Sequence, residues 1–165
     1  MSELGANLAI LLLRELATFE RDLALFPDDE SIWKTAPGAA NSPGNLALHV
    51  AGNLQHYVGA VLGGTGYVRN RPLEFSRRSG SRAELVAELR AAAHVVRTVL
   101  PGLPEERLSE TYPETWNDLA LRTDRFLIHL CTHAAYHLGQ ATILRRVLTG
   151  QDRSSGPVPL QALAE

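Results

Sequence analysis

The spacing of apolar side chains divides the chain into four amphipathic segments separated by breaks rich in proline, glycine and aspartate. The first predicted helix runs from Ser2 to Phe26. Leu4, Leu8, Leu11, Leu12, Leu16 and Phe19 form its apolar stripe, and Pro27 with Asp28 and Asp29 ends it. The second starts at Ser42, a good N-cap residue, with Pro43 at the first helical position, and continues to Leu62 before Gly63 and Gly64. The third opens on the capping box Ser81-Arg82-Ala83-Glu84 and ends near Pro101 and Gly102. The fourth spans Thr123 to Thr149, with Gly150 as its C-terminal cap. No alternating run of β-branched residues is long enough for a strand, and the 103–122 connection has room for a short turn or hairpin. This pattern predicts an all-α four-helix bundle in one domain over residues 1–150, followed by an extended C-terminal tail over 151–165.

Charge is distributed unevenly over these segments. From Ala36 to Val68 there is no Asp, Glu, Lys or Arg, and the same holds from Phe126 to Leu144. A helix without charge all round is buried on more than one face. The second and fourth helices are therefore expected to be the interior pair, or to meet a second subunit through their outer faces as a homodimer.

The totals narrow the function classes. A chain of 165 residues that is 45% apolar can bury a continuous core without staples. Its net charge of −2 and lack of a basic stripe argue against nucleic acid and anionic lipid as partners. Only Lys34 is a lysine among 16 basic residues, which reads as compositional bias. Cys131 stands alone, so no intrachain disulfide forms. The apolar run Leu8–Leu13 is too short to span a membrane, and no secretory signal precedes it, so a cytoplasmic protein is expected.

Six histidines are present, and five fall on the two charge-free helices. His129, His133 and His137 are spaced four and four; His49, Asn53 and His56 are spaced four and three. Both sets lie along one face of their helix. Two imidazoles from one helix and a third from a facing helix make an open metal site of the catalytic kind. Spacing alone leaves this reading level with one in which the histidines are hydrogen-bonded core residues. His94, on the charged third helix, reads as structural. Cys131 lies about 200° of rotation from the face of its neighbours His129 and His133, and reads as packing.

The run Asn41-Ser42-Pro43-Gly44-Asn45-Leu46-Ala47-Leu48-His49-Val50-Ala51-Gly52-Asn53 resembles the second helix of the DinB/YfiT-like superfamily. His133-Ala134-Ala135-Tyr136-His137-Leu138-Gly139-Gln140 resembles its fourth-helix motif, and Arg69-Asn70-Arg71-Pro72-Leu73-Glu74-Phe75 is similar to a linker of an uncharacterised branch. With the helix order, the resemblance covers about 150 residues. It implies an up-down-down-up bundle, often dimeric, in which one histidine of the second helix and two of the fourth bind nickel, zinc or another divalent ion. Matched by position, the implied ligands are His49, His133 and His137. His129 and His56 have no place in that triad. From their positions along the helix, His129, one turn before His133, and Gln140, three residues past His137, are the candidate cofactor-binding neighbours, with helix packing the plainer role for Gln140.

Three neutral imidazoles leave such an ion its full charge, which acidifies a bound water or thiol. Relatives in the superfamily resemble transferases or isomerases dependent on small thiols such as bacillithiol or mycothiol; others carry the label of metal-dependent hydrolases. Position 134, where a zinc protease of the HExxH kind carries its glutamate, is alanine. The leading expectation is a metal-dependent thiol S-transferase acting on a small molecule. Hydrolysis is the alternative, and a non-catalytic, stress-associated metal- or ligand-binding bundle is the alternative of another class. Trp33, Tyr67 and the 112–116 stretch are candidate walls of the pocket mouth, equally explained as core lids.

Overall fold

A computed structural model describes residues 2–115 and 118–156. Six α-helices occur in order: α1 (Glu3–Ala24), α2 (Pro43–Leu54), α3 (Arg71–Ser76), α4 (Arg82–Val99), α5 (Glu105–Ser109) and α6 (Thr123–Thr149). Short 3₁₀ turns occupy Glu30–Trp33 and Leu100–Gly102, and α2 continues as a π-helical segment over Gln55–Leu62. There is no strand among the described residues; an isolated bridge from Thr111 to Arg122 pinches the 103–122 connection at its base. The short α3 and α5 are additions to the predicted pattern, because six and five residues are too few for a helical period to register.

The long helices α1, α2, α4 and α6 form the bundle, α1 and α2 each packing against both α4 and α6. Leu8, Leu12, Leu16, Phe19 and Leu23 of α1 meet Leu85, Leu89, Ala92 and Val96 of α4 in the core. Phe126, Leu127, Leu130, Ala134 and Leu138 close it from α6. Each buried Leu or Phe contributes about 1.5–3 kcal/mol relative to exposure.

The start of α2 is fixed by a reciprocal cap. Ser42 Oγ accepts from Asn45 N–H, and Asn45 Oδ1 accepts from the Ser42 amide and hydroxyl. Beneath this turn Trp33 lies so close that a Cβ on Gly44 would meet its ring at 2.9 Å. The indole Nε1 donates to Gly80 O, and Trp33 is therefore a core lid rather than a pocket wall.

The expectation for the charge-free helices divides. In α2 every residue but Leu48 is buried, partly under α3, so it is an interior helix. In α6, by contrast, Ile128, Tyr136, Ile143 and Val147 are 49–62% exposed along one side. Residues 151–156 of the tail form neither helix nor strand and are fastened: Arg145 donates to Arg153 O, and Arg21 to Ser155 O and Gly156 O. The rest of the predicted tail, and Trp116, lie outside the described residues.

Candidate metal centre

Three imidazoles converge where α2 faces α6. His49 Nε2 and His137 Nε2 each lie 3.1 Å from His133 Nε2, and all three nitrogens fall within 4.8 Å of one another. His133 and His137 come from successive turns of α6, whereas His49 reaches across from the buried side of α2. In a tetrahedral site with metal–nitrogen bonds of 2.0–2.1 Å, ligand nitrogens stand about 3.3–3.4 Å apart. Two of the three separations, at 3.1 Å, lie close to that requirement, and the third is bounded by 4.8 Å.

The outer nitrogens of the rings determine what faces inward. His49 Nδ1 lies 2.9 Å from Glu74 Oε2 and 3.2 Å from Arg69 Nη2. An ionised carboxylate can only accept, so the shorter contact requires Nδ1 to carry the proton and donate it to Glu74, while the Arg69 nitrogen, itself only a donor, makes no hydrogen bond to that N–H. His137 Nδ1 donates to Gln140 Oε1 at 2.8 Å, and the other end of that amide donates to the Tyr136 hydroxyl. Both rings therefore turn an Nε2 lone pair toward His133 Nε2, which holds at most one proton between them. Three imidazoles so arranged form a donor set for a cation.

Electrostatics keep the cluster ready for one. Burial, and then the neighbouring His137, His49, His129 and Arg69, push the His133 pKa down to about 3. Burial also lowers that of His137, with Gln140 opposing. Burial pushes the Glu74 carboxyl up, but hydrogen bonds and charge from His49 and Arg69 outweigh it and leave Glu74 below the usual carboxylate range.

A cleft of about 570 Å³ opens on the His49 and His133 side. Asn53 and Tyr57 line it from α2 and its π extension, Arg69 and Arg71 from the linker, Leu119 and Leu121 from the connection, and Phe126 and His129 from α6. Among the described residues, no acidic side chain lines it. Asn53 is buried, and its Oδ1 has no hydrogen-bond partner among the described residues. A second cleft, of about 620 Å³, lies between the 38–41 loop and α6, with Tyr136 and Gln140 in its wall.

His129 lines the first cleft with its ring 5.8 Å from that of His133, and stays outside the triad. His56, expected on the face of His49, instead bonds Glu114 of the connection at 3.1 Å. The helix widens to π geometry at Gln55, one residue before it, so the α-helical register behind that expectation no longer applies. His94 is exposed, and Cys131 turns its thiol toward Leu8 O, away from the cluster. Tyr112 is buried against Phe126 with its hydroxyl on Tyr57 O, so the connection supplies two leucines rather than this tyrosine to the cleft.

Sequence reasoning missed roles for Arg69 and Glu74. Arg69 grips the Glu74 carboxylate with Nε and Nη2 at 2.7 and 2.8 Å, and Phe75 packs its ring 4.7 Å from that of His49. These residues lie in the run singled out by resemblance, but a spacing of five in a linker carries no periodic signal.

No curated protein matches the chain. A family model, that of the mycothiol S-transferases, matches residues 8–150, which takes in the three histidines, the cleft and the arm that carries Glu74. The chain belongs to the mycothiol S-transferase family, within the DinB/YfiT-like superfamily of metal-dependent proteins.

Proposed function

We propose that this protein is a metal-dependent thiol S-transferase in which His49, His133 and His137 hold one divalent ion, nickel or zinc. Its thiol cosubstrate is a low-molecular-weight one, mycothiol by family. The observation that carries the reading is the convergence of three Nε2 atoms beside a cleft with no acidic side chain among its described lining residues. When bound, the ion supplies positive charge that lowers the pKa of a thiol brought to it. The sulfur then forms a bond to an electrophilic carbon of the second substrate, and the leaving group departs with the electron pair of the bond that breaks.

The chain's own residues shape that event. His129, in the cleft wall beside His133, is placed to take up the thiol proton. The Asn53 carboxamide oxygen accepts a hydrogen bond from a ligand N–H or O–H, which would relieve its buried, unpartnered state. Gln140 serves the centre through His137, whose tautomer it holds. Leu119, Leu121 and Phe126 offer the apolar wall that keeps water from competing with sulfur.

The carboxylate arrangement favours transfer over hydrolysis. Glu74, the carboxylate bonded to the triad, is spent on Arg69 and His49 and is no free carboxylate base for water, and the matching family is one of thiol transferases. Catalysis over a merely bracing metal is favoured because neither His129 nor His56 fills a fourth coordination position. The exposed apolar side of α6 supports a homodimer, and dependence on reduced thiols fits a cytoplasmic location.

The test is turnover of a fluorogenic alkyl halide by protein loaded with one metal per chain. Product is expected only when metal and thiol are both present, with a loss of roughly a hundredfold or more in His133→Ala. Metal-loaded protein that turns over no electrophile with mycothiol, bacillithiol, glutathione or cysteine would sink the reading.

A further inference from the structure

We infer that Glu74 is the positioning residue of the metal centre, holding His49 in its ligating tautomer, and that Arg69 and Asn45 hold Glu74 in place. The inference rests on the reading of the three histidines as ligands. It concerns an arm of the chain, Arg69–Phe75, that contributes no ligand atom of its own.

Glu74 is 6% exposed and lies outside the cleft lining. Its Oε1 takes Arg69 Nε, and its Oε2 takes both Arg69 Nη2 and His49 Nδ1. A carboxylate so committed does not contact substrate; it acts through the imidazole. An isolated buried carboxylate would favour its protonated form and lose its strength as an acceptor. The two-pronged guanidinium prevents this by matching the carboxylate in charge and geometry.

The backbone is equally committed. Asn45 Nδ2 donates to Glu74 O at 2.8 Å and to Arg77 O at 2.9 Å, so the cap of α2 also fastens α3 alongside it. Asn45 and His49 are one turn apart on α2, which puts the anchor and the ligand on the same side. The short α3 is itself started by Asn70, whose Oδ1 accepts from Leu73 N–H, and by Pro72 in its first turn. Each of these features serves to bring one carboxylate to one ring nitrogen.

The three ligands are therefore supported unequally. His49 has an ionic acceptor, His137 a neutral amide, and no hydrogen bond joins His133 Nδ1 to a described residue. A carboxylate accepting from Nδ1–H fixes the ring and makes Nε2 a better donor to a metal. Removing such an acceptor weakens metal binding by about 10–100-fold elsewhere.

Two measurements test the inference, both independent of enzyme activity. Nitrogen chemical shifts of the metal-free wild type at neutral pH should show His49 with Nδ1 protonated; an Nε2–H ring would overturn the proposal without any variant having to fold. Chelator competition with zinc should then give Glu74→Gln an affinity about 10–100-fold below wild type, with His133→Ala as the control. If Glu74→Gln loses less than about tenfold while His133→Ala loses its metal, Glu74 is only structural and the proposal fails alone. If neither variant loses affinity, the three-histidine reading fails and takes the proposal with it.

Discussion

A Cβ on Gly52 would overlap Oε1 of Glu74, so the carboxylate reaches His49 only because α2 has no side chain at that point. Alanine in a helix interior normally stabilises relative to glycine by about 0.5–1 kcal/mol. Here the sign should reverse. Gly52→Ala is expected to cost about 1–3 kcal/mol by overpacking and to weaken metal binding together with it. Urea denaturation of the metal-free protein and zinc competition check both halves; a stabilised variant with wild-type affinity would show that the contact yields freely.

Asp22 and Arg145 form a buried pair at 3.0 Å, with the side chains 1% and 0% exposed. Arg145 also holds the Arg153 carbonyl, which ties the C-terminal segment to the core. Asp22→Ala leaves a guanidinium in the interior without its counter-charge, and about 3–5 kcal/mol of stability should be lost. A lowered denaturation midpoint measures this, with faster tryptic cleavage after Arg153 as the local sign. A loss under about 1 kcal/mol would mean that water reaches Arg145.

Acid should destabilise the metal-free protein through His133. Its pKa falls from 6.5 to about 3 in the folded chain, by burial first and then by neighbouring positive groups. Between those values the unfolded chain binds more protons than the folded one, so stability falls as pH falls through that window. Above pH 6.5 both states are neutral and this contribution is flat. Denaturation midpoints at about pH 7.5 and about pH 5 in chelator should differ for wild type and differ less for His133→Gln. Equal slopes would place the acid-sensitive group elsewhere.

Dimerisation predicts its own variant. Tyr136, Ile143 and Val147 are 58–62% exposed on one side of α6, and a charge placed among them would be buried without a partner in a dimer. Ile143→Glu should move the sedimentation coefficient from dimer to monomer at micromolar concentration and leave the helical signal unchanged. Wild type that already sediments as a monomer removes the dimer from the proposed function.

The long helices and the pairing of His133 with His137 were legible because both have helical periods. Ser42 and Ser81 cap where expected, and the spacing of His133 and His137 survives folding because it lies within one helix. The resemblance, not spacing, singled out His49 over His56. Only the tertiary structure shows why, since His56 is engaged by Glu114 from a connection without pattern. Arg69 and Glu74 were harder still. Their roles arise from α3 folding back on α2 through Asn45, a relation between distant backbone carbonyls and one side-chain amide. Arg145 merely closes a charge-free run in the sequence, yet it is among the most buried side chains of the molecule, because Asp22 waits for it on α1.

The π-helical stretch over Gln55–Leu62 has a bearing on how this chain tolerates insertions and deletions. A π turn takes in one more residue than an α turn, and each residue of helix rotates the downstream chain by about 100°. Removing one residue between 55 and 62 would let the α register run on and would re-aim the linker beyond it. Arg69 would then leave Glu74, although no residue of the triad had been touched. Removing one residue from the exposed Gly64–Gly66 stretch would shorten the linker without turning it. A library of single-residue deletions should therefore separate two adjacent segments by their effect on metal retention, with the helical one the less forgiving.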